Sequence, residues 1–249
     1  MSKRCVVRVI KLSKLQNLKQ QLQAEYPYKF ELHAHSSPAS GCSDLPPAEL
    51  VERCKNAGGH GLVLTNHIGW WMRAEEKELF CKRYLQDYLD TKEAGDKLGI
   101  KVLFGFEARF PENENDYLIF GFDANFIPEM YEHVGTSEQE FFTACHSEDV
   151  LILQAHPFRK NMVPVDPTYL DGYEVFNLHP GHNSRVAVAS KLHAQHGGVI
   201  TSGTDLHHRD HEGSLFTCFA QMPEDEKALV HLLRSGDYVF MTADKVILG

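Results

Sequence analysis

Five short apolar runs in this chain each stop on a histidine or a carboxylate, and that repetition restricts the fold more than any other feature. The first ends in Glu31-Leu-His33-Ala-His35. The others are Leu62-Val-Leu-Thr-Asn66-His67, Val102-Leu-Phe-Gly-Phe-Glu107, Leu151-Ile-Leu-Gln-Ala-His156 and Val199-Ile-Thr-Ser-Gly-Thr-Asp205-Leu-His207. A single His-x-His is weak. Five strand ends that deliver metal-binding side chains in turn point to one polynuclear site.

The segments between these runs read as helices. Pro46-Pro47 opens one and Gly58-Gly59 closes it, Arg73 to about Leu98 forms a long one closed by Gly99, and Ser137-Glu-Gln-Glu is a capped start. Further helices are expected from about Ser184 to His196 and from Pro223 to Leu233, with strands at Tyr117 to Phe120, Gly172 to Phe176, Leu215 to Ala220 and Tyr238 to Met241. Ahead of them, Cys5 to Ile10 reads as a short strand and Leu12 to Glu25 as a helix. Alternating strands and helices imply a mostly parallel sheet. Ligands at many carboxyl ends favour a barrel, where the βα loops converge on one face; an open doubly wound sheet gathers its site at one switch point. At 249 residues, such a barrel fits in one domain.

The chemistry follows from residue type and position. His33 and His35 are two apart on a strand and share a face. Glu107 is a costly buried charge without a cationic partner; Arg109, two residues on, shares its face and is the simplest one. His156-Pro157 ends its strand at the proline, and Asp205 and His207 repeat the two-residue spacing. Arg159 and Arg185 offer bidentate forks for phosphate oxygens, and Trp70-Trp71 follows the His67 strand on the same rim, either lining a pocket or packing as core or lid.

As an ordered set, Glu31-Leu-His-Ala-His35, Thr65-Asn-His67, Gly105-Phe-Glu107, Ala155-His-Pro157, Glu174-Val-Phe-Asn177 and Gly203-Thr-Asp-Leu-His207 resemble the polymerase and histidinol phosphatase (PHP) superfamily. The resemblance implies a distorted (β/α)7 TIM-like barrel, with an N-terminal extension over 1–26 packed on a domain at 27–249. It implies two or three divalent ions, zinc, manganese or iron, and hydrolysis of a small phosphomonoester of the histidinol phosphate kind by a metal-activated water. Carried over by position, His33, His35, Glu107 and Asp205 would hold a first metal. Glu107 would bridge to a second with His156, and His67 and His207 would hold a third. Glu107, Asp205 and His207 would be the catalytic ligands, and Arg159 and Arg185 the substrate-binding pair. Asn66 stands where the family often has aspartate. No residue matches cleanly the family ligand just beyond His-x-His; Asp44 is the candidate, or else a helix cap before Pro46. The remaining ligand of the second metal is His182 or His179, with His182 at the better spacing after Glu174.

An amidohydrolase-type hydrolase, which also uses His-x-His and a late aspartate, is the alternative enzyme. A non-catalytic metal-binding barrel is the alternative from another class. Net charge of −9 argues against sequence-independent binding to duplex nucleic acid. Cys5, Cys42, Cys54, Cys81, Cys145 and Cys218 show no Cys-x-x-Cys pairing. With no signal-like apolar run and no span of about 20 apolar residues, a cytoplasmic protein off the membrane is expected. Oligomeric state is not encoded in any of these features.

Overall fold

Helix α1 covers Lys3–Glu25 and is followed by β1 (Tyr28–Ala34), α2 (Pro47–Asn56), β2 (Gly61–Leu64), β3 (His67–Gly69), α3 (Lys77–Leu98) and β4 (Lys101–Arg109). The chain continues through β5 (Tyr117–Phe120), α4 (Ile127–His133), α5 (Glu138–Cys145), β6 (Leu151–Gln154), β7 (Gly172–Asn177), α6 (Val186–His196) and β8 (Val199–Gly203). It ends with β9 (Leu215–Phe219), α7 (Glu226–Ser235), β10 (Tyr238–Thr242) and β11 (Lys245–Ile247). This computed structural model describes residues 3–209, 211, 215–242 and 245–247, with side chains from residue 14 to residue 242 within those ranges.

Of the expected boundaries, two move furthest. Cys5 to Ile10 is the first half of α1 rather than a strand. No glycine or proline interrupts residues 3–25, and the Lys, Leu, Gln and Arg around the apolar run are good helix formers, so one helix absorbs it. Helix α3 begins at Lys77, not Arg73, because the Glu76 carboxylate accepts from the backbone N–H groups of Glu78 and Leu79. Residues Trp70–Ala74 form a separate 3-10 turn. Gly99 closes α3 at φ 71°, and Ser137 with Glu140 makes the expected capping box on α5.

Strands hydrogen-bond in the order β11-β10-β9-β1-β2-β4-β5-β6-β7-β8, with β3 alongside β4. The β1–β2, β2–β4, β3–β4, β6–β7 and β7–β8 pairs are parallel; β5 runs antiparallel to both neighbours, as do the pairs from β1 through β9 and β10 to β11. The curved sheet nearly closes on itself. Just past β8, Leu206 accepts from the His35 N–H at 3.0 Å and donates to the His33 carbonyl at 3.1 Å. The result is a distorted, TIM-like α/β barrel.

Alternation along the strands sorts the core. Val63, Leu103, Leu118, Phe120, Leu151 and Leu153 pack against Leu229, Val230 and Leu233 of α7. The opposite faces present Leu62, Leu64, Phe104 and Phe106 to Leu50, Val51, Phe80 and Tyr84 of α2 and α3. On β4, Leu103, Gly105 and Glu107 share the α7-side face. Glu226 of α7 accepts from the Phe104 N–H at 3.0 Å, which ties that helix to the amino half of β4. Apolar side chains therefore fill one end of the barrel, and the carboxyl end is left to polar groups.

Candidate metal centre

His33, His35, Glu107 and Asp205 meet at the carboxyl end of the barrel. One ligand atom from each lies within 4.8 Å of all the others, and all four residues are buried. His33 Nε2 is 3.3 Å from Glu107 Oε2 and 3.4 Å from Asp205 Oδ1; His35 Nε2 is 3.3 and 3.5 Å from the same two atoms. These four atoms are close, yet none has a hydrogen-bond partner. Four orphaned polar atoms buried around one point would cost several kcal/mol left to themselves. A divalent cation satisfies all four together, so the donor set fits one.

The backbone sets this convergence. The two Leu206 hydrogen bonds interleave the His33–His35 strand end with the Asp205–His207 strand end. Asp205 takes φ 56° and His156 φ 27°, conformations uncommon outside glycine. Two of the strained residues are thus in the cluster, as expected where function dictates geometry. Glu174 locks the far side: its Oε1 is 2.9 Å from His33 Nδ1, while its Oε2 accepts from the His156 N–H and the Asn177 amide. A carboxylate on the second ring nitrogen fixes the tautomer that leaves Nε2 free.

Glu107 reaches two ways, with Oε2 facing His33, His35 and His67 and Oε1 lying 3.0 Å from His156 Nε2. That is the arrangement expected of a bridging carboxylate. His35, His67 and His207 form a second group of neighbouring ligand atoms, and His179, Asp205 and His207 a third.

Electrostatics are strongly coupled. Burial disfavours ionised Glu107 and Asp205, but His33 with His67 and His156 around the first, and His33 with His207 and His35 around the second, hold both well below ordinary carboxylate values. Burial likewise opposes a charged His33, and Asp205, Glu174 and Glu107 overcome it, raising that pKa well above the histidine norm. His207, against Asp205, is raised to about 10 despite burial, while burial pushes His67 down to about 3. Ligation of a cation by His207 would require its neutral form.

Arg159 adds a positive charge at the mouth, donating to His156 Nε2 at 3.3 Å and lying 3.8 Å from Asp205. Trp70 and Trp71 are both exposed, at 49 and 41%, with the Arg109 guanidinium 5.5 Å from the Trp71 ring centre. The pair is therefore not core.

The structure places several of the expected residues away from the cluster. Asp44 stays out of the cluster: its side chain is 50% exposed, accepts from the Arg209 N–H at 3.1 Å, and lies 3.7 Å from His208. Nor does it cap α2, whose N-cap, Pro46, has no side-chain cap bond. Ser43 causes this by donating to the His35 and His207 carbonyls, which pins the loop one residue earlier and turns Asp44 outward. His179, not His182, joins Asp205 and His207. Asn177 Oδ1 accepts from the His179 N–H and the Ser184 hydroxyl, folding the loop back so that His182 is exposed and stacks on His179 at 4.2 Å. Arg185 is exposed at the start of α6, with φ 49°, and has no ion pair with the cluster among the described residues. Arg109 pairs with Asp116 rather than Glu107, through two 2.6 Å bonds.

Asp116 was missed by sequence reasoning. It is buried, belongs to a group with His67 and Glu107, and lies 3.9 Å from His156. Parallel strands deliver ligands at their carboxyl ends, but β5 is antiparallel and delivers at its amino end, one residue before Tyr117. A carboxylate immediately preceding a strand that no ligand follows was the available signal.

Comparison with known proteins agrees with this architecture. The PHP domain family model matches residues 31–227. The chain belongs to the PHP domain family. Among solved structures, a candidate metal-dependent phosphoesterase from Bifidobacterium adolescentis superposes with a TM-score of 0.51 at 16% identity, covering 82% of this chain and 95% of that one. A two-domain protein from Bacteroides vulgatus, described as containing a predicted PHP-like metal-dependent phosphoesterase, gives 0.62 at 14% identity over 89% of this chain and 66% of its own. An amidohydrolase from Chromobacterium violaceum, solved with sulfate and no metal, gives 0.49 at 18% identity over 74% and 89%. No curated protein sequence matches the chain.

Proposed function

We propose that this chain hydrolyses a small phosphomonoester at a centre of two or three divalent ions, with histidinol phosphate among the substrates to try first. The observation that carries this is the convergence of four buried, unpartnered ligand atoms from His33, His35, Glu107 and Asp205. Zinc, manganese and iron all suit a histidine and carboxylate donor set. Bound cations would supply Lewis-acid polarisation of the phosphoryl group and acidify a water between them.

The chain's own residues do the rest. Glu107 presents Oε2 to His33, His35 and His67 and Oε1 to His156, and would hold cations on both sides. Asp205 and His207, held by the Leu206 hydrogen bonds, complete the inner face. His156 and His179 stand on the outer side. Arg159, partly exposed, holds one donor against His156 Nε2 and close to Asp205, from where it would reach phosphoryl oxygens. Residues 27–249 would be the catalytic unit and 1–26 an appended helix that need not touch substrate. Among the described residues no helix is long and apolar enough to cross a membrane.

The test is elemental analysis of purified protein, before and after chelation and reloading, together with a phosphate-ester and amide panel. Two to three metals per chain and phosphatase activity are expected, with both falling in His33→Ala. Activity that survives His33→Ala undiminished would sink the assignment, and so would turnover of amides alone.

A further inference from the structure

Behind His35 runs a buried chain of polar side chains that the metal ligands do not use. It starts on α3, outside the sheet, at Asp87, which is 2% exposed. Asp87 Oδ2 accepts from the Asn66 amide at 2.8 Å and from the Ser36 hydroxyl, and its Oδ1 accepts from the Ala39 N–H at 3.4 Å. Asn66 Oδ1 in turn accepts from the Ser36 N–H at 2.8 Å and from the Ser40 hydroxyl at 2.9 Å. Ser40 Oγ accepts from the His67 N–H at 2.8 Å and lies 3.3 Å from His35 Nδ1.

Donor and acceptor counting, with the shorter contact taken where two compete, selects one arrangement. A carboxylate held by three donors only accepts, so the Asn66 nitrogen must face Asp87 and its oxygen must face Ser40. The Ser36 N–H enforces the same orientation. Ser40 has one proton, and Asn66 Oδ1 at 2.9 Å takes it ahead of His35 Nδ1 at 3.3 Å. Its oxygen must then accept from His35 as it does from His67. The proton of neutral His35 therefore sits on Nδ1, and Nε2 is left bare toward Glu107 and Asp205.

We propose that Asp87 is a positioning residue which, through Asn66 and Ser40, fixes the Nδ1–H tautomer of His35 and so keeps Nε2 ready to bind a metal. Where relatives often carry the acidic residue beside the histidine, this chain has Asn66 there and takes its carboxylate from α3. The inference rests on the cluster being a metal centre only for its consequence. The tautomer itself is a property of the metal-free protein.

A charge swap tests it. Asn66→Asp alone sets two carboxylates face to face and removes the donor between them. Asn66→Asp with Asp87→Asn restores the donor with its polarity reversed: the amide now on α3 donates to the carboxylate now beside His67, which still accepts from Ser36 and Ser40. Two readouts are taken on histidine-labelled protein: the His35 tautomer from ring-nitrogen shifts after chelation, assigned by loss of the signal in His35→Gln, and zinc affinity by chelator competition.

Wild type should show Nδ1–H. The single variant, in which repulsion from Asp87 drives the new carboxylate off Ser40, should lose that state and bind zinc about 10- to 100-fold more weakly, the usual effect of removing a group behind a ligand. The double variant should recover both. Should Asn66→Asp fail to fold, Ser40→Ala cuts the chain at its last link and should lose the tautomer as well. Nε2–H in the wild type overturns the proposal, as does a single or Ser40→Ala variant with unchanged tautomer and affinity, or a double variant no better than the single. If the wild type shows Nδ1–H but binds no metal, the metal reading fails and the tautomer assignment survives.

Discussion

Glu31 is the most informative residue to perturb. It lies two positions before His33, fully buried, with Oε1 accepting from the His33 N–H at 3.0 Å and the Thr204 N–H at 2.9 Å, and with no partner for Oε2. Burial raises its pKa from 4.5 to about 7, although the bonds from Thr204 and His33 work the other way. An acid whose folded pKa is raised binds more protons folded than unfolded over that interval. Its contribution is fully present below pH 4.5 and is lost as pH rises through 7. At about 1.4 kcal/mol per pKa unit, the shift is worth about 3 kcal/mol in full, of which about 2–3 kcal/mol falls between pH 5 and pH 8. Glu31→Gln keeps the Oε1 acceptor and cannot ionise. An unpaired amide costs about 1–3 kcal/mol at every pH, so it offsets the curve without tilting it. Urea unfolding of chelator-treated wild type and Glu31→Gln should therefore diverge. The variant should gain about 2–3 kcal/mol on the wild type between pH 5 and pH 8, because the ionisation of Glu31 itself is removed. A flat difference across that interval would refute a neutral, buried Glu31.

Gly203 ends β8 where an added Cβ would come within 2.4 Å of His33 Cβ and 2.5 Å of Glu174 Oε1. Gly203→Ala should push His33 off its support, costing about 1–3 kcal/mol by chemical denaturation and lowering metal occupancy by elemental analysis. Ser137→Ala, which removes the α5 capping box away from the cluster, should cost about 1 kcal/mol in the same unfolding assay and leave metal content unchanged.

What the chain's order of residues determined by itself is the set of strand ends and their chemistry. The His33–His35 and Asp205–His207 pairs, Glu107 and His156 were legible because a ligand's side is set by alternation, and a strand's end by a glycine or a proline. Tyr117–Phe120 was recovered to the residue. What only the tertiary structure decided depends on direction, loop path and long-range partners. The antiparallel run of β5 brings Asp116 to the mouth from a strand start, where no local pattern marks it. The Ser43 hydroxyl, bonded across the barrel to the His207 carbonyl, sends Asp44 outward, and the Asn177 turn selects His179 over His182. Asn66 reads as a lost charge along the sequence. Asp87, brought in from a helix 21 residues away, supplies that charge behind it. Strand periodicity is a property of neighbours in the chain, whereas hydrogen-bond partners are settled only when distant segments close around the same buried point.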